Sequence, residues 1–93
     1  MQIEHQTTAH GGRFSAHDGQ TALGHLDYRR NDAVLDAHHT FVDPKARGRG
    51  VAEALLHALA AYAQTEHATI RPSCSYVAKK LPQLYPQLVA ADQ

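Results

Sequence analysis

The sequence has one cysteine, no surplus of charge and no long apolar run, and each shortage removes a class of protein. A lone Cys74 rules out an intrachain disulfide framework and leaves a reduced compartment or a single functional thiol. Nine Lys and Arg against nine Asp and Glu leave no net field to draw the chain toward nucleic acid or an anionic membrane. The longest apolar run, Ala58 to Ala63, falls far short of the ~20 residues that span a bilayer, and the N-terminus has no apolar core of a signal peptide. Without a second cysteine or a His-x₃-His pair, no metal site is expected. A cytoplasmic protein is the expectation, and 93 residues suffice for one core but not for an added lid or specificity domain.

Eight histidines are what the composition has in excess, each able to gain charge below about pH 6.5. Those at 5, 10, 17, 25, 57 and 67 read as solvated, on edges and exposed faces. Residues 1–43 read as strands. Arg13 to His17 and Ala22 to Tyr28 flank the turn Asp18-Gly19-Gln20, where glycine supplies positive φ for a hairpin. From Ala33 to Val42 alternation places Leu35, Ala37, His39 and Phe41 on one face and Val34, Asp36, His38, Thr40 and Val42 on the other.

After Pro44 the period becomes helical, with Val51, Leu55, Leu59 and Tyr62 on one side of a helix from Val51 to about Glu66. The stretch Ala68 to Pro72 reads as a strand parallel to the one before the helix, closing a right-handed βαβ crossover. Ser73 or Ser75 then caps a last helix through about Leu81. Pro82 ends that helix or opens another, with Leu84, Tyr85, Leu88 and Val89 packing inward. The fold class is α/β: one domain over residues 1–93, a mostly antiparallel sheet, one parallel βαβ crossover and a helix after the loop.

That loop, Val42-Asp-Pro-Lys-Ala-Arg47-Gly48-Arg49-Gly50-Val51-Ala52, carries the chemistry. Glycines at 48 and 50 let the backbone turn tightly and converge its N–H groups, and the helix start adds its positive dipole end. Such a loop binds phosphate. Ala52 leaves room above the first turn, while Lys45, Arg47 and Arg49 add positive charge. A P-loop needs Gly-Lys-Ser/Thr, a dinucleotide fingerprint needs a third glycine, and an RNA-binding Arg-Gly segment needs repetition and net charge. None of these is present.

The pattern Val-x-Pro-x-x-Arg-Gly-x-Gly-Val-Ala resembles the acyl-CoA pyrophosphate loop of the GNAT superfamily of N-acetyltransferases, its core motif falling on Arg47, Gly50 and Ala52. His39-Thr40-x-Val42 before it and Pro72-Ser-Cys74-Ser-Tyr76-Val77 after it are similar to a short, cysteine-containing branch of that superfamily. Lys80 and Tyr85-Pro86 depart from the branch pattern. The resemblance implies acetyl-CoA or coenzyme A as cofactor and N-acyl transfer to an amine. It places the pyrophosphate at Arg47, Gly48, Arg49, Gly50, Val51 and Ala52, and pantetheine beside the backbone of Phe41 and Val42. It leaves open a non-catalytic acyl-CoA-binding module and a protein that acylates itself.

Three side chains are catalytic candidates. His39 is a base near the expected thioester or a structural histidine; Cys74 is a covalent acceptor, an acid or a small buried hydrophobe; Tyr76, by its resemblance to the general-acid tyrosine of larger GNAT enzymes, is an acid for the departing thiolate, or else a packing residue. The expected partners are an acyl-CoA and an unidentified amine, with no nucleic acid and no membrane. Nothing in the sequence identifies the acceptor or the oligomeric state.

Overall fold

Apolar–polar alternation through the first half builds four antiparallel strands in the computed structural model, which describes residues 1–91. They are β1 (Gln2–Thr7), β2 (Gly11–Asp18), β3 (Thr21–Asn31) and β4 (Val34–Val42). Helix α1 (Val51–Thr65) leads to β5 (Thr69–Pro72), which pairs with β4 in parallel, and α2 (Ser75–Leu84) follows. The sheet order is β1-β2-β3-β4-β5, so the expected α/β class and crossover are present. Gly19, at φ +56°, supplies the turn between β2 and β3.

Both helices lie on one face of the sheet. Val51, Leu55, Leu56 and Leu59 of α1 and Val77 and Leu81 of α2 are buried in the same cluster as Phe14, Leu26, Leu35 and Ile70. Tyr85, at the end of α2, hydrogen-bonds His57 of α1 through its hydroxyl. No polar or charged residue among those described is buried, so the cluster is held by apolar contact.

The alternation read along β4 breaks once. Asp27 pairs with His39 and Tyr28 with Ala37, leaving His38 as an extra residue in a β-bulge. A one-residue insertion flips every later side chain. Leu35 and Ala37 share one face as expected, the one toward the helices, but beyond the bulge Thr40 and Val42 take that face, and His39 and Phe41, expected beside Leu35, point to the opposite, open one.

Three smaller expectations are corrected. Pro82 lies inside α2 and does not end it: the helix tolerates one missing N–H in its last turn because Leu81 beside it is fully buried. Leu84 is exposed, whereas Leu88 is buried and Ala90 N–H donates to Ile70 C=O, tying the last segment to β5. His5 is not solvated: its ring stacks on Phe14 at 4.0 Å and its Nε2 shares a 2.6 Å hydrogen bond with the Tyr28 hydroxyl.

Burial lowers the His5 pKa from its ordinary value of 6.5, and burial with the nearby Arg13 charge does the same to His25. The unfolded chain therefore binds more protons than the folded one as pH falls through this range. The stabilisation is complete above about pH 6.5 and is lost as pH drops through the folded values. We expect the melting temperature to fall between pH 7 and 5, and to fall less in His5→Gln; identical slopes would contradict the burial. A second check is Gly24, where an added Cβ would meet Phe41 C=O at 2.4 Å and Val51 at 3.2 Å. Gly24→Ala should destabilise the fold by about 1–3 kcal/mol in urea unfolding.

Candidate active site

Strands β4 and β5 stay paired only from Val34–Thr69 to Ala37–Pro72. Ser73 N–H and Cys74 N–H then both donate to Ala37 C=O, at 3.1 and 2.8 Å, and the chain turns into α2 while β4 runs on to Val42. A gap opens between the two. Asp43 N–H donates to Leu23 C=O on the β3 side, so strand alternation directs the backbone polar groups of Thr40 and Val42 into the gap. Phe41 turns its backbone to β3 and carries its ring, 44% exposed, on the open face.

The loop beyond β4 is fixed at one end by Asp43, whose Oδ1 accepts the Lys45 N–H at 2.9 Å, and by the buried Ala46. Gly48 and Gly50 sit at φ +82° and +74°. A Cβ at either would meet nothing within 4 Å, so glycine is required by conformation and the space above both stays open. Gly50 caps α1 without a side-chain hydrogen bond, leaving the first-turn amides free to bind an anion. A cleft of about 290 Å³ at this point brings together Val42, Arg47, Gly48, Gly50, Val51 and Ala52 with Tyr76 of α2.

A family model described as GCN5-related N-acetyl-transferase matches residues 13–89. The chain belongs to that family. Among solved structures it is similar to the ribosomal-protein-alanine N-acetyltransferase of Brucella melitensis biovar Abortus 2308, with 20% identity and a TM-score of 0.68. The match covers 92% of this chain but only 66% of the Brucella protein. A GCN5-like protein of Staphylococcus aureus matches over 97% of this chain and 90% of its own, with 24% identity and a TM-score of 0.67. The aminoglycoside N-acetyltransferase AAC(6')-Iy, solved with a CoA-containing bisubstrate analogue, matches with 19% identity, a TM-score of 0.60 and 92% of this chain against 66% of its own. These likenesses are of fold.

Within the GCN5-related fold Cys74 is the N-cap of α2, in place of the expected serine. Its Sγ accepts the Val77 N–H at 3.4 Å and shares a 3.2 Å hydrogen bond with Thr40 Oγ1 across the mouth of the gap. Tyr76 is half-buried in the cleft. Desolvation, the Glu53 carboxylate and Cys74 push its phenol above the ordinary value of 10.0, which keeps it a proton donor near neutral pH. His39 stands apart from both, its ring 5.5 Å from that of His25 on the open face.

Arg49 leaves the cleft: its guanidinium pairs with Asp18 on the β2–β3 hairpin, and that contact holds the Asp18 carboxyl below its ordinary value. Thr40, Glu53 and Asp18 all shape the site; Thr40 stood in the His39-Thr40-x-Val42 pattern and Asp18 in a turn, but the contacts of all three are with partners at least 23 positions away, which the sequence did not signal. The loop motif could flag only itself. Ultraviolet titration of the parent minus Tyr76→Phe should reveal one phenol ionising above pH 10; ionisation at or below 10 would contradict its placement.

Proposed function

We propose that the protein is an acetyl-CoA-dependent N-acetyltransferase acting on an amine. The observation that carries this reading is the coincidence, at one end of β4, of two left-handed glycines, an uncapped helix start and a gap between parallel strands. The free amides and the open space above Gly48 and Gly50 fit the diphosphate of coenzyme A. Arg47, Gly48, Gly50, Val51 and Ala52 would hold that diphosphate, with Lys45 adding charge at the rim. The backbone groups of Thr40 and Val42 would orient the pantetheine arm. Bound acetyl-CoA supplies an acyl group activated as a thioester.

The chain's own side chains divide the proton work. Tyr76, kept protonated by burial and Glu53, donates toward the cleft. His39, on the face of β4 away from the helices, accepts the amine proton there. Arg49 contributes field and not contact while Asp18 holds it. Acyl transfer through the protein is a second reading, favoured by the Thr40 hydrogen bond that fixes the Cys74 thiol at the gap. The Cys74 thiol would then give up its proton and take the acyl group as coenzyme A leaves as its thiol, and the amine would afterwards displace Cys74 as a free thiol.

Coenzyme A at 100 times its Kd should stabilise the fold by about 2.7 kcal/mol, read as a higher melting temperature. Gly50→Glu should abolish that shift; an unchanged shift would overturn the loop assignment. Arg47→Ala should weaken binding more than Arg49→Ala. With turnover established on an amine panel, His39→Gln should lower kcat by roughly 10²–10⁴ while leaving the thermal shift intact. An acetyl adduct on intact protein after acid quench, absent from Cys74→Ser, would establish the covalent route. Binding without turnover on any amine would make the chain an acyl-CoA-binding module.

A further inference from the structure

The loop before α1 carries three cations, Lys45, Arg47 and Arg49. Among the described residues Arg49 is the one of the three that a carboxylate holds: its Nη2 donates to Asp18 Oδ2 on the β2–β3 hairpin, 31 positions earlier. Arg47 lies in the cleft at the start of α1, whereas Arg49 turns into a second cleft of about 230 Å³, shared with Thr21, Leu23 and Lys45. The backbone beneath Arg49 has not left the first cleft. Gly48 and Gly50, on either side of it, both line that cleft.

Two features make the contact exchangeable. The side chains of Arg49 and Asp18 are 50% and 39% exposed, and an ion pair so open to water outweighs its broken form by about five-fold at most. Gly48 at φ +82° and Gly50 at φ +74° would bring a Cβ within 4 Å of nothing, so the loop can turn about both without a clash. The hairpin turn is equally open at Gly19, at φ +56°. A diphosphate in the first cleft competes for the guanidinium with more charge than one carboxylate, and it accepts the same forked pair of N–H bonds.

We propose that Asp18 is an autoinhibitory latch on the phosphate loop, which withholds Arg49 from a bound diphosphate until the ligand takes the guanidinium from it. The inference rests on the coenzyme A reading above and adds a control on how tightly that ligand is held. Binding must first undo the latch, so the apparent affinity falls by the fraction of molecules in which Arg49 is free. For an exposed pair that fraction is about one in two to one in six. Acetyl-CoA and coenzyme A carry the same diphosphate, so the latch loosens donor and product alike and helps the product leave.

The test measures the Kd of coenzyme A and of inorganic pyrophosphate, at low salt, for the parent, Asp18→Asn, Arg49→Ala and the double variant. Asp18→Asn should bind both ligands about two- to six-fold more tightly than the parent, and salt at about 0.5 M should shrink that gain. Made in Arg49→Ala, the same substitution should change affinity by less than about 1.5-fold, although it removes the same carboxylate charge and its 3.2 Å contact with the Met1 amine. In ¹⁵N spectra of the parent, saturating ligand should shift the Arg49 Nε–H and the amides of Asp18 and Gly19, and in Arg49→Ala the hairpin shifts should vanish. No gain in Asp18→Asn, an equal gain with and without Arg49, or hairpin amides unmoved in the parent would each overturn the latch and leave the coenzyme A reading standing. The full pattern with pyrophosphate in a protein that does not bind coenzyme A would support the latch and refute that reading. Failure of both ligands to bind any of the four proteins would refute both.

Discussion

The Ala37 carbonyl accepts hydrogen bonds from two consecutive amides, Ser73 and Cys74, and that pair of bonds ends the parallel ladder. Had β5 continued alongside β4, the backbone groups of Thr40 and Val42 would be consumed in sheet pairing. Instead the second chain turns away and starts α2 with Cys74 as its cap. The gap, the placement of the thiol and the approach of Tyr76 to the loop follow from that one branching point. Four residue pairs hold β4 to β5, and the buried Leu35 and Ile70 among them supply the apolar contact that keeps so short a ladder in register.

The bulge at His38 does equal work on the other side of the strand. Without it, alternation would aim Phe41 and His39 at the core and turn Thr40 away from Cys74. With it, one strand serves two environments in succession: Leu35 and Ala37 seal the core, then Thr40 and Val42 face the cleft while His39 and Phe41 look outward. A donor held in the gap and an acceptor on the open side would then approach the end of β4 from its two faces.

What the sequence disclosed and withheld follows the range of the interaction concerned. The start of α1 at Val51 and the tight turns at Gly48 and Gly50 are local, and periodicity or residue type announced them, while the parallel return at Thr69 followed from the handedness rule for a strand–helix–strand crossover. The bulge is set by how β3 and β4 pair, and no pattern within Ala33 to Val42 distinguishes it from an unbroken strand. Arg49 looked like a phosphate ligand because the loop contains no acid next to it; Asp18, 31 positions earlier, was folded against it. The histidines read as solvated divided in the same way, since His5 found Tyr28 and Phe14 only through the β1–β2 and β2–β3 registers.

Among the described residues two α-helices serve one sheet, and both are committed to the same face by the burial of Leu55, Leu59, Val77 and Leu81. The remaining face must therefore stay compatible with water, and its residues show how: Arg13 is matched by Asp27, Glu4 by the His17 ring, and the imidazoles of His25 and His39 give half-polar cover where a larger protein would place another layer. An exposed sheet face made only of leucines would aggregate, and one made only of like charges would repel itself. A mixed face of small, aromatic and ionic side chains avoids both outcomes.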